Sequence, residues 1–236
     1  MNIFGAFTFG SLIKTFLPGL VGLIAICLLE VDVAQVRGQN SQIWSLLTNK
    51  DQAAAALVLA FPASILLGLL FNIIVFMGLN DWLVRNPFEK SQIALSTLHK
   101  QLCSKLREQC WTALGFNDPA LRQSFDKWID PEIIIVERLG AEKLGYVREQ
   151  YWYHLEFQLN LVISLIAILI ALIISAFINT GLWWGLGFSV MWIVIATALC
   201  GWLLKAARKN YTRHIAKMAS LMTALLSQPS ASAGSG

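Results

Sequence analysis

Charge is what this sequence has least of. Lys, Arg, Asp and Glu make up 14% of its 236 residues, whereas an ordinary soluble domain carries about a quarter. The shortage excludes a conventional water-soluble fold, because 56% hydrophobic residues and a mean hydropathy of +0.61 leave too little polar surface to cover the apolar part. Cysteine is sparse as well. Cys27, Cys103, Cys110 and Cys200 are scattered without Cys-x-x-Cys spacing, so no disulfide framework is implied. No basic stretch precedes the first apolar run and no small-residue cleavage site follows it, and a removable signal peptide is not expected. A Gly-rich phosphate loop, Gly-x-Ser-x-Gly and His-Glu-x-x-His are all missing. Ionisable residues are also missing from the centres of the expected spans, with Lys14 and Glu30 standing at the ends of the first. That weighs against a proton-coupled transporter or an intramembrane hydrolase, whose chemistry needs buried carboxylates, His or metal ligands. An apolar pore stays open, since hydrophobic constrictions gate by dewetting. Neither an enzyme nor a cofactor or metal is expected.

What is present is a set of long apolar runs. An all-α integral membrane protein with four transmembrane helices is expected, with a small cytoplasmic helical module between spans 2 and 3. Residues 1–14 are rich in Phe but are interrupted by Gly5, Gly10 and Lys14, which predicts an interfacial or re-entrant segment. Spans 1 and 2 occupy 15–79, the first from about Thr15 to Leu29 or on to Val36, the second from about Ala53 to Leu79 with Pro62 inside it. Residues 80–156 form the module and 157–204 a hairpin of spans 3 and 4, turned at Asn179-Thr180-Gly181. A basic amphipathic tail with a low-complexity end fills 205–236. Trp44, Trp82, Trp152, Trp183 and Trp184 fall near span ends, where aromatic belts sit.

Orientation follows from Lys and Arg. Ten lie within 80–156, five in the tail and one (Lys14) at the N-terminal side, against Arg37 and Lys50 in the first connection and none between spans 3 and 4. By the positive-inside rule both termini and the module are cytoplasmic, in an inner (plasma) membrane.

Three cap-plus-proline signals punctuate the module: Asn86-Pro87, Asp118-Pro119 and Asp130-Pro131. They predict helices over about 87–114, 119–128 and from 130 onward. The third shows no break signal before span 3 and reads as one rod. Along it Arg148, Trp152, Glu156, Asn160 and Ser164 recur every four residues and so share a face. The stripe is either an interfacial anchor or a coupling device, with Lys205 and Arg208 of the tail as the expected cations for Glu156. The module is small enough that it is expected to pack on the tail or on another copy.

Small residues recur every four positions as Ser64-Gly68-Asn72, Ala167-Ala171-Ser175 with Ser164 on the same helix, and Gly181-Gly185-Ser189. Such rows let helices approach closely, within one chain, between chains, or along a polar path. His99, Cys103 and Cys110 share a helical stripe but lack the fourth ligand and tight Cys pairs of structural zinc.

Arg148-x5-His154 and Arg208-x5-His214 have a spacing that resembles the motif of HEPN-type ribonucleases, although neither Arg is followed by the usual Asn, His or Gln. In layout the chain resembles small membrane accessory proteins of prokaryotic antiviral systems, which implies a role in such a system. The expected function is an oligomeric channel or membrane-permeability effector and sensor controlled through its cytoplasmic helices. The alternative is a non-conducting anchor or scaffold that recruits a soluble cytoplasmic partner. Lipid bilayer and further copies of the chain are the expected partners; direct nucleic-acid binding is not expected.

Overall fold

The computed structural model describes residues 9–79, 90–113, 118, 120 and 131–227. Every element among them is helical: α1 (Phe9–Val36), α2 (Gln42–Thr48), α3 (Lys50–Ile74), α4 (Lys90–Ala113), α5 (Pro131–Leu139), α6 (Ala141–Val147), α7 (Tyr153–Thr180) and α8 (Leu182–Ser227). π-Helical turns follow α3 at Val75–Leu79 and precede α7 at Arg148–Trp152. The first eight residues, the caps at Asn86-Pro87 and at Asp130, most of the short helix expected over 119–128 and the low-complexity end lie outside the described residues. Four helical stretches are long and apolar enough to cross a membrane: Leu12–Val36, Gln52–Leu79, Ala141–Thr180 and Leu182–Ser227.

Two compact units emerge. The first comprises residues 1–85 and 153–208, the second 86–152 and 209–236. In the first, α1 packs against both α3 and α7. Ser41 caps α2 by accepting from the Trp44 N–H at 3.0 Å, and the Glu30 carboxylate accepts from the Ser41 hydroxyl and from the Gln42 N–H at 2.8 Å. These bonds tie the connection to the end of α1. In the second, Leu102 and Leu106 of α4, Ile134 and Ile135 of α5, and Leu144 and Val147 of α6 close on Met218, Ala219, Met222 and Leu225 of α8. Those four recur at helical spacing, so the tail buries one face while Arg213 and Lys217 stay exposed.

Two expectations are corrected. Residues 9–14 are not a separate segment, because α1 starts at Phe9 and runs unbroken through Lys14. Nor is there one rod from 130 into span 3. Gly140 sits at φ +90, a conformation that side chains other than glycine rarely adopt, and it ends α5, its N–H donating to the Val136 carbonyl at 3.0 Å. The hairpin turn uses the same device, Gly181 at φ +77.

Candidate functional site: a polar seam between apolar helices

The first unit is apolar by composition, yet its helix contacts carry a line of polar groups. The line begins with the close approach of α1 and α3. A Cβ built on Gly19 would lie 1.7 Å from the Ser64 carbonyl oxygen, and one on Gly68 would lie 1.9 Å from that of Thr15. Only hydrogen fits at either position, so backbone meets backbone. Ser64, fully buried, turns its hydroxyl onto its own helix at the Ala60 carbonyl, 2.7 Å away.

Pro18 then creates a demand. Lacking an N–H, it cannot serve the Lys14 carbonyl four residues earlier, and an unserved backbone group among apolar helices costs several kcal/mol. Asn160 of α7 supplies the donor, its Nδ2 lying 3.2 Å from that oxygen and 3.3 Å from Asn72 Oδ1 on α3. One turn on, the Ser164 hydroxyl donates to the Pro18 carbonyl at 2.9 Å. Asn160 and Ser164 are both fully buried.

Glu156 comes one turn before Asn160 and is 5% exposed. Its carboxylate pairs with the Lys14 ammonium, which also sits 4.4 Å over the Tyr153 ring. Lys14 was expected to mark an interruption of the first apolar run; it is instead a cation held inside the first unit against α7. At the opposite ends of α1 and α7, Asp32 is 3% exposed and its Oδ1 accepts from Ser175 Oγ at 3.2 Å and Asn179 Nδ2 at 3.3 Å. Lys14 and Asp32 therefore lie near the two ends of α1 and Glu156 in the first turn of α7, and the centres of both helices hold no ionisable group. Asn160 Oδ1 and Asp32 Oδ2 are buried without a hydrogen-bond partner.

The expected stripe divides. Glu156, Asn160 and Ser164 line the first unit, whereas Arg148 pairs with Glu132 and Trp152 packs on His214 at 5.1 Å within the second. The reason is local: Arg148–Trp152 is a π turn, whose i→i+5 bonds break the four-residue repeat. Lys205 is exposed and Arg208 half-buried.

The small-residue rows are occupied within the chain. Ser64 and Gly68 meet α1, with Asn72 serving Asn160. Ala171 is fully buried on α7 and Ser175 serves Asp32. A Cβ on Gly185 would stand 2.9 Å from the Phe177 ring across the hairpin, and Ser189 is 6% exposed with its hydroxyl unpartnered.

Sequence reasoning missed Lys14, Pro18, Gly19, Asp32 and Asn179 as contributors. Thr15-x3-Gly19 did carry the small-residue signal, and Pro18 four residues after Lys14 announced an unserved carbonyl. Neither says which helix answers.

In the second unit, burial among α4, α6 and α8, helped by the nearby His99 and Arg148, lowers the His214 pKa from 6.5 to about 4. Burial likewise lowers that of His99 and raises that of Tyr211. His214 is 8% exposed and packs against the Trp152 ring. Among the described residues no three His, Cys, Asp or Glu side chains gather to hold a metal. A crevice of about 440 Å3 opens between α6 and α8, lined by Glu142, Lys143, Tyr146, Val147, Lys217 and Leu221 among others. The chain has no match among protein-family models, curated proteins or solved structures.

Proposed function

We propose that this chain is a multi-pass membrane protein, N- and C-termini cytoplasmic, that assembles with further copies into a permeability effector or channel whose conductance depends on the Lys14–Glu156 pair. The observation that carries the reading is that pair, set with Asn160 and Asn72 among apolar helices. Charge inside a membrane bundle is costly and marks ion pathways, relays or sensors by default. A passive anchor gains nothing from it, since apolar residues of like volume serve packing as well or better.

Supporting the membrane setting are the four candidate spans, and supporting the orientation are the Lys and Arg clusters of 80–156 and the tail. The outer face of α8, with Leu182, Trp183, Trp184, Val190, Val194 and Trp202 exposed, is the surface this reading gives to lipid and to further copies. Control comes from the second unit, to which the same helix contributes Lys209–Ser227. The layout that resembles antiviral accessory proteins sets the biological context proposed.

The scaffold reading is favoured by one feature, the crevice between α6 and α8, which offers a soluble partner an apolar floor with charges at its rim. Ion efflux from vesicles separates the two. Purified protein in liposomes should release trapped ions faster than protein-free vesicles do; release at the protein-free rate supports the scaffold.

A further inference from the structure

One cluster in the second unit has no part in the function just proposed. His99 and Cys103 stand one turn apart on α4, and Met222 reaches Cys103 from α8. Cys103 Sγ lies 3.8 Å from Met222 Sδ and 3.9 Å from each ring nitrogen of His99. Met222 is 1% exposed, while Cys103 and His99 are half-buried. Core packing explains why Met222 is there. It does not explain why a thioether at 3.8 Å and an imidazole at 3.9 Å both stand against the one thiol of Cys103.

Metal–sulfur bonds of about 2.3 Å and metal–imidazole bonds of about 2.0–2.1 Å, arranged trigonally, place sulfur about 4.0 Å from sulfur and about 3.8 Å from nitrogen. The two spacings from Cys103 Sγ lie close to that frame.

We propose that His99, Cys103 and Met222 form a three-coordinate site for a soft monovalent cation, Cu(I) in particular. Thiolate and thioether donors select Cu(I), whereas Mg, Ca and Mn prefer oxygen ligands and Cu(II) prefers tetragonal nitrogen and oxygen. Zinc requires a fourth ligand and takes its sulfur from thiolate. The surroundings suit a soft ion: Leu102 and Leu106 on α4 and Leu225 on α8 belong to the same buried cluster, and an apolar shell limits water at the metal. Binding displaces the Cys103 thiol proton to solvent and joins α4 to α8 by a bond neither has without it. Cys110, seven residues and about two turns along α4, lies outside the site.

The test uses the full chain, purified in detergent under reducing, anaerobic conditions and titrated with Cu(I) against a chromogenic chelator. One equivalent should bind, with X-ray absorption showing two sulfurs and one nitrogen. Loss of outer-sphere partners alone commonly weakens a metal on the order of 10–100-fold, so Cys103→Ser should weaken binding at least on the order of 100-fold. Met222→Leu conserves core volume and serves as the variant that keeps its fold; it should weaken Cu(I) about tenfold while the apo-protein melting temperature holds within a few degrees. Cys110→Ser should change nothing. The proposal is overturned if the chelator retains all Cu(I), or if Met222→Leu and His99→Gln bind as tightly as the parent.

Discussion

Lys14 and Glu156 are each short of water, with side chains 16% and 7% exposed, and each is tolerable there only because of the other. Removing one partner of a buried pair leaves an uncompensated charge and costs about 3–5 kcal/mol, whereas replacing both by apolar groups is often neutral. Lys14→Met and Glu156→Leu should each lower thermal stability in detergent markedly, and the double variant should be more stable than either single one. Additive losses in that cycle would mean that the two side chains do not interact.

His214 tests the second unit at the same scale. Its folded pKa of about 4 lies below the ordinary 6.5, so between those values the unfolded chain binds the proton that the folded chain refuses. The stability this contributes is fully present above pH 6.5 and is lost as pH falls toward 4, up to about 3 kcal/mol in all. The groups that set it are the apolar burial first, then His99 and Arg148. His214→Phe, which keeps a ring against Trp152, should flatten the loss of melting temperature over that window; an unchanged slope would assign the acid sensitivity elsewhere.

At the scale of elements, the α1–α3 contact holds the closest glycine approaches among the described residues and is therefore highly sensitive to volume. Gly19→Ala and Gly68→Ala would push a carbon against backbone oxygen at 1.7 and 1.9 Å, so the helices must separate, at a cost of about 1–3 kcal/mol or more. Gly145, on α6 with nothing within 4 Å of a built Cβ, should behave oppositely: Gly145→Ala is expected to stabilise by about 0.5–1 kcal/mol. Thermal melts of the three variants check both signs.

Elements were also what the sequence disclosed best. Apolar run length is a one-dimensional property, so spans 2 to 4 and the continuation of span 4 into the tail could be read directly. The stripe Glu156-Asn160-Ser164 was legible as well, because helical periodicity puts it on one face. What faces it was not. Lys14 and Pro18 meet that stripe through a contact between residues about 140 positions apart, and periodicity carries no information about partners on other helices. The break at Gly140 was hidden for a different reason: a lone glycine is as compatible with a helix interior as with its end. The π turn that divides Arg148 and Trp152 from Glu156 depends on hydrogen-bond geometry rather than on residue type.

For the whole molecule, topology comes before mechanism. Cysteines introduced near Gln39 should react with an impermeant reagent outside the cell, and those near Asn117 should not; the reverse pattern would invert the positions of Asp32 and Glu156 relative to the cytoplasm. Given that topology, the account turns on whether the internal charge pair governs permeability. The direct measurement is ion efflux from proteoliposomes holding equal amounts of parent, Glu156→Gln, Lys14→Glu, and the exchanged variant carrying Lys14→Glu with Glu156→Lys. Each single substitution should change efflux on the order of tenfold, about 1.4 kcal/mol on the rate, and the exchanged variant should return toward the parent. Equal efflux from all four preparations, or none above protein-free vesicles, would contradict the account.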